Sequence, residues 1–244
     1  MTRAWAEYAI DNQDELVGAS RWVLNNRTIP DWTGGNWLGL IPPEDPNNWE
    51  ESFVRQSPLF PYTGNNLSMW ICPADPSSGQ KPTGENVRRT RSYSLNCWVG
   101  GPGWDASGPW WPKSSTQGVG WRVYRKSSDF LAPGPARTIA FLDQRADSIA
   151  NGSFIIDMKG FPEAPESATM MEHPGHFHEN GGNLSFADGH VELWRWSDPR
   201  TTPPYRGVDI PLLQSPNNPD LLRLQSGATR YYEPNGSVRF LTAP

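Results

Sequence analysis

The sequence predicts an α+β domain with one leading helix, an antiparallel β-sheet and large irregular loops. Three observations carry this. Trp5, Tyr8 and Ala9 stand at i, i+3 and i+4, the spacing of an amphipathic helix stripe. Thr138–Leu142 is a continuous run of strand length, as expected of a strand buried on both faces. Residues 183–196 alternate around Asp188-Gly189, a dipeptide suited to a two-residue hairpin turn.

Composition narrows the class. The chain has 244 residues with 36 % hydrophobic and 19 % charged content, which places it with globular proteins that can bury a sizeable core. Its 25 Pro, 23 Gly and 13 Trp predict many turns and long ordered loops fastened by aromatic packing. A net charge of −5 and a pI near 5.4 argue against a nucleic-acid partner, which would call for a basic stripe. The one basic cluster, Arg88-Arg89-Thr90-Arg91, reads as a solvated loop. No run of about 18 apolar residues exists, and residues 1–8 lack the apolar core of a signal peptide.

In chain order, residues 2–12 form a helix broken at Asp11-Asn12, with no N-cap before it. Residues 20–68 hold Trp22, Trp32, Trp37 and Trp49 among prolines, with no lasting helix or strand period; Ser57–Tyr62 reads as extended. Met69–Pro73 reads as a short strand, residues 74–85 as a polar turn region, and Arg91–Val99 as a strand with Tyr93, Leu95 and Cys97 on one face. Thr138–Leu142 and Ser153–Ile156 are further strands. With Asp188-Gly189 as the turn, Phe186 faces Val191 and Leu184 faces Leu193, so these four make one apolar face. Asn218 then suits a helix N-cap, with Pro219 at the first position and Asp220 in the first turn. Tyr231–Phe240 suits a second hairpin through Asn235-Gly236.

Candidate chemistry concentrates in one window. His173, His176, His178 and His190 lie there among Glu172, Glu179, Asp188 and Glu192, so a zinc site has to be weighed. The spacing matches no zinc motif, and Pro174-Gly175 interrupts the first pair. Asn183 to Asp188 runs about 17 Å along a strand at 3.3 Å per residue, so His178 sits near the open end of the hairpin, in the core, while Asp188 serves the turn. No serine or cysteine stands in a nucleophile signature and no glycine-rich loop opens a helix, so no catalytic residue is expected. Cys72 and Cys97 are either two buried thiols or a disulfide closing a loop of about 25 residues. The tryptophans either staple loops to the sheet or present a glycan-binding surface on 20–68 and 98–122.

The stretch His178, nine residues, then Asp188-Gly189-His190-Val191 resembles the prepilin-type processing-associated family known by its H-x(9)-DG motif. Further stretches are similar to that family: Phe186–Val191 followed by Trp196, Cys72-Pro73, Ser92–Asn96, Thr138–Asp143 and Ala4–Asn12. These proteins look like the major pseudopilins of type II secretion. The resemblance implies a type IV pilin-like fold over 1–244: 1–19 as the remnant of a long N-terminal helix, 20–68 as a loop insertion, 69–196 as the sheet core, and 197–244 as a C-terminal extension. It implies a non-enzymatic structural subunit, anchored to a bacterial inner membrane by a helix that precedes this chain, with its head on the periplasmic or extracellular side. Partners would be other pseudopilin subunits, with secreted cargo or a glycan as further ligands. In that compartment a Cys72–Cys97 disulfide becomes plausible. The resemblance also implies calcium, without ligands that map onto this sequence.

Overall fold

The computed structural model describes residues 1–39, 42–104, 120–232 and 237. It shows mixed helix and sheet, as composition and pattern predicted. Helix α1 spans Thr2–Asp11 and buries Ala4, Trp5 and Ala9, while Tyr8 packs half-buried beside them, edge-on to Tyr62. It ends where Gln13 and Asp14 turn to φ of 59° and 68°, a conformation no helix can propagate.

Five strands form the main sheet: β1 (Tyr93–Asn96), β2 (Ile139–Asp143), β3 (Ser153–Phe154), β4 (Gly181–Phe186) and β5 (Val191–Arg195). Their order is β5-β4-β2-β1-β3. Strand β2 lies at the centre and is buried along its whole length, which explains its lack of alternation. The expected all-antiparallel pairing needs one correction, because β3 runs parallel to β1. Helix α2 (Pro219–Ala228) closes the second side of the sheet through Leu224 and Ala228.

The β2–β4 ladder is bulged. Leu184 pairs with Leu142 and Phe186 with Ile139, so two residues, Ala140 and Phe141, oppose Ser185. The freed Phe141 N–H donates to Ser185 Oγ at 3.2 Å. The bulge sends Ala140 and Phe141 together to the core under α1, while Ile139 and Leu142 join the core under α2.

The hairpin exists, but its register differs from the expected one. Ser185 pairs with Val191 and Leu184 with Glu192, one step from the sequence reading. The loop has three residues, Ala187-Asp188-Gly189: Gly189 takes φ 96°, Gly189 N donates to Phe186 O, and Phe186 N donates to His190 O. A three-residue loop with glycine in the left-handed position competes with the two-residue turn. Asp188 stays out of positive φ and instead accepts from His190 N. The expected apolar face is therefore split. Leu184 and Phe186 share a face with Trp194 toward α2, whereas Val191 and Leu193 point the other way and stay 62 % and 47 % exposed.

Other differences follow local capping. Met69–Pro73 does not extend; Asn66 Oδ1 accepts from Ser68 N and starts a 3-10 turn over Leu67–Trp70. Ser57–Tyr62 turns as well, with Pro61 opening a second 3-10 turn. Within 20–68 a small hairpin pairs Trp22–Leu24 with Arg27–Ile29 across Asn25 and Asn26, both at positive φ. Tyr231–Tyr232 pairs with Gly120–Trp121, and the rest of the hairpin expected through Asn235-Gly236 lies outside the described residues.

The basic run is solvated only at Arg88, which stays exposed. Arg91 is buried and donates to the carbonyls of Tyr93, Ala150 and Asn151 and to Ser94 Oγ. Arg89 is buried against Asn48 Oδ1 and the carbonyls of Gly39 and Ala146. Four tryptophans fasten loops in the same way: Trp22 to Gly100 O, Trp32 to Gly152 O, Trp98 to Ile156 O and Trp196 to Gly175 O.

Candidate functional site

Three sequence motifs that stand far apart in the chain end at one point. Asp143 is the last residue of β2, where its backbone pairs with Tyr93 of β1. Asn183 N, in the first half of β4, donates to Asp143 Oδ2 at 2.8 Å and fixes the carboxylate. Cys72 follows the 3-10 turn over Leu67–Trp70, at the start of a tight turn in which Asp75 N donates to Cys72 O. His178 stands at the open end of the hairpin, in a turn closed by His178 N to Gly181 O and Gly181 N to His178 O. Glu179 and Asn180 take positive φ inside that turn.

His178 Nε2 lies 3.4 Å from Cys72 Sγ and 3.4 Å from Asp143 Oδ2. The three ligand-type atoms all lie within 4.8 Å of one another. Asp143 is 1 % exposed and its Oδ1 has no hydrogen-bond partner. Burial pushes the Asp143 carboxyl up to about 6, against the Asn183 amide and His178 that hold it down. Burial raises the Cys72 thiol too, and the nearby Asp143 charge adds to it, while the backbone amides of Ala74 and Asp75 act in the opposite direction.

The four histidines expected as one weak metal set are not brought together; among the described residues only His178 belongs to a ligand cluster. His173 is buried with Nδ1 3.0 Å from Thr201 O. His176 borders a separate cavity with Arg145, Asp147 and Tyr205. His190 sits on the surface of the hairpin, stacked on Phe186 with ring centroids 4.3 Å apart, and its Nδ1 meets Asp188 Oδ1 at 2.6 Å. The family motif residues thus separate: Asp188 and Gly189 build a turn, while His178 meets Cys72 and Asp143. Cys72 and Asp143 were missed as His178 partners. The signal available was that each belongs to a short motif, Cys72 opening Cys-Pro and Asp143 ending a strand.

The cysteines do not form the disulfide; both are free. Cys72 sits at the Asp143–Tyr93 rung, whereas Cys97 lies four residues beyond Tyr93, about 13 Å along a strand. A disulfide requires Cα atoms within about 7 Å. Cys97 instead packs among Leu142, Phe154 and Ile156 on the α2 side.

A cleft of about 510 Å³ opens between the loops, lined by Asp31, Asn36, Trp37, Trp104, Asn151 and Glu172 among others. Trp37 is 59 % exposed at its edge, and Asn36 Oδ1 is buried without a partner. Most other described tryptophans are buried: Trp5, Trp22, Trp32, Trp70, Trp98, Trp194 and Trp196.

No helix among the described residues is long and apolar enough to cross a membrane. No protein-family model, no curated protein and no solved structure matches the chain.

Proposed function

We propose that this domain is the head of a pseudopilin-like structural subunit, a scaffold rather than an enzyme, in a type II secretion or surface-fibre system. The observation that supports the reading is the seating of α1. Its Trp5 and Ala9 share one core cluster with Leu95 of β1 and with Ala140 and Phe141 of β2, so an N-terminal helix is seated on the core of a mainly antiparallel sheet. In this reading the helix continues toward the membrane from Met1, and neighbouring subunits meet along it. A groove beside Met1, lined by Met69, Ile71, Tyr93 and Val191, offers apolar surface for such contacts. The head stands on the periplasmic or extracellular side.

The experiment is to express the complete native reading frame with a C-terminal tag in a host with and without prepilin peptidase. Membrane association and peptidase-dependent shortening are the expected outcome. A protein that stays soluble and keeps its full length in both hosts overturns the reading.

The cleft carries a second reading, a glycan- or polymer-binding surface on the same scaffold. Exposed Trp37 offers a stacking face beside the acceptors Asp31 and Asn36. A glycan array probed with the wild type and Trp37→Ala separates the readings: hits lost in the variant support binding, and a blank array removes it.

A further inference from the structure

We propose that Cys72, Asp143 and His178 form a binding site for one divalent transition ion of the zinc class. The inference stands apart from the pseudopilin reading, since it rests on these three side chains alone.

The geometry of His178 is the first argument. One nitrogen, Nε2, faces both Sγ and Oδ2 at 3.4 Å. An imidazole nitrogen carries one proton or one lone pair, so it can satisfy only one of the two by hydrogen bonding. A cation between the three atoms satisfies all of them at once. Tetrahedral coordination at bond lengths of about 2.0–2.3 Å spaces ligand atoms about 3.3–3.6 Å apart. The two 3.4 Å spacings to His178 Nε2 fall in that range, and the third pair, Cys72 Sγ and the Asp143 carboxylate, lies within 4.8 Å.

The second argument is the Asp143 carboxylate, almost wholly buried, whose Oδ1 has no partner and whose Oδ2 meets Asn183 N and, at 3.4 Å, His178. Buried carboxylates are ordinarily paired or metal-bound. Among the described residues, the cation-forming side chain within reach of Asp143 is His178, at a distance longer than a good charged hydrogen bond. A thiol and a carboxylate placed together out of water repel as anions, and a dication reverses that relation.

The donor set selects the ion. Thiolate with imidazole and one carboxylate suits zinc and its close analogues, not calcium or magnesium, which take oxygen ligands. The three ligands are held by the main chain rather than by flexible stems: Asp143 by Asn183 N, His178 by its closed turn, and Cys72 by the turn that places the Ala74 and Asp75 amides against sulfur. Three protein ligands leave a fourth position. The His178 side chain is 29 % exposed, whereas that of Asp143 is fully buried.

The test uses the whole chain, treated with chelator and titrated with Zn²⁺ and Co²⁺. We expect one equivalent bound and, with Co²⁺, a thiolate-to-metal charge-transfer band in the near ultraviolet. Cys72→Ser abolishes the band, His178→Gln weakens binding at least about tenfold, and Cys97→Ser leaves both intact. Zn²⁺ also protects Cys72 from alkylation. His178→Gln, partly exposed, is the variant least exposed to misfolding, and its circular dichroism is compared with that of the wild type. Absence of the band in the wild type, or metal uptake unchanged by Cys72→Ser, overturns the proposal. Metal binding by a protein that is never processed at the membrane upholds the site and removes only the secretion reading.

Discussion

Trp32 and Trp70 lie face to face, ring centroids 5.2 Å apart and planes 9° from parallel, with Phe141 of the central strand edge-on to Trp32 at 5.0 Å. Trp32 is fully buried and Trp70 with it, so two long loops dock onto the sheet through one stack. Trp32→Ala is expected to destabilise the fold by about 3–5 kcal/mol, and Trp32→Phe by less, because the phenyl ring keeps the stacking partner and loses the bond to Gly152 O. Urea unfolding followed by far-ultraviolet circular dichroism measures both.

Glu172 supplies a pH dependence. Its Oε2 accepts from Ile155 N at 2.7 Å and Gln144 Nε2 at 3.1 Å, and burial pushes its carboxyl up to about 8 from an ordinary 4.5. Between those values the folded state keeps a proton that the unfolded chain has released. Stability therefore falls as pH rises from about 4.5 to about 8 and levels off above. The fall is on the order of 2 kcal/mol, discounted because the carboxyl borders an open cleft. Glu172→Gln is expected to flatten this part of the profile, read as the unfolding midpoint at pH 5 and pH 9.

Asn218 caps α2 with both ends of its amide. Oδ1 accepts from Asp220 N and Leu221 N, and Nδ2 donates to Thr201 Oγ1 and Ser215 Oγ. Asn218→Ala removes the cap and leaves those hydroxyls short of a donor, a loss of about 2–3 kcal/mol. Asn218→Asp keeps the acceptor and falls between the two in thermal melts.

His190 and Asp188 form a surface pair whose hydrogen bond raises the imidazole above its ordinary value, with Glu192 adding to it. In Asp188→Asn the His190 titration, followed by NMR of the ring protons, is expected to move down toward the ordinary range. The fold is expected to be unchanged, because Gly189 carries the turn's positive φ.

The elements written in strong local patterns were legible: α1 from its stripe, β2 from its unbroken run, and the α2 start from Asn218-Pro219-Asp220. What failed depended on distance or on one residue of register. The hairpin's apolar residues admit both Phe186 opposite Val191 and Phe186 opposite His190, and only the β2 bulge, the Phe186–His190 stack and the packing of Trp194 under α2 decide between them. Arg89 and Arg91 look solvated in sequence because their partners are backbone carbonyls, which carry no residue signature. The Cys72–Asp143–His178 cluster was hidden for the same reason: Cys72 and His178 are separated by 106 positions, and no spacing rule joins them.

The tryptophan tethers have a kinetic consequence. Trp22, Trp32 and Trp98 bind carbonyls 78, 120 and 58 residues away in the chain. The parallel β1–β3 pairing is likewise remote in sequence. None of these contacts rewards the chain until long segments have already come together, and closing such loops costs entropy first. High contact order of this kind slows folding toward the millisecond-to-second range and beyond that of helical domains of similar size. The loops and the β1–β3 pairing thus share one long-range requirement, and the indoles stay uncovered until it is met.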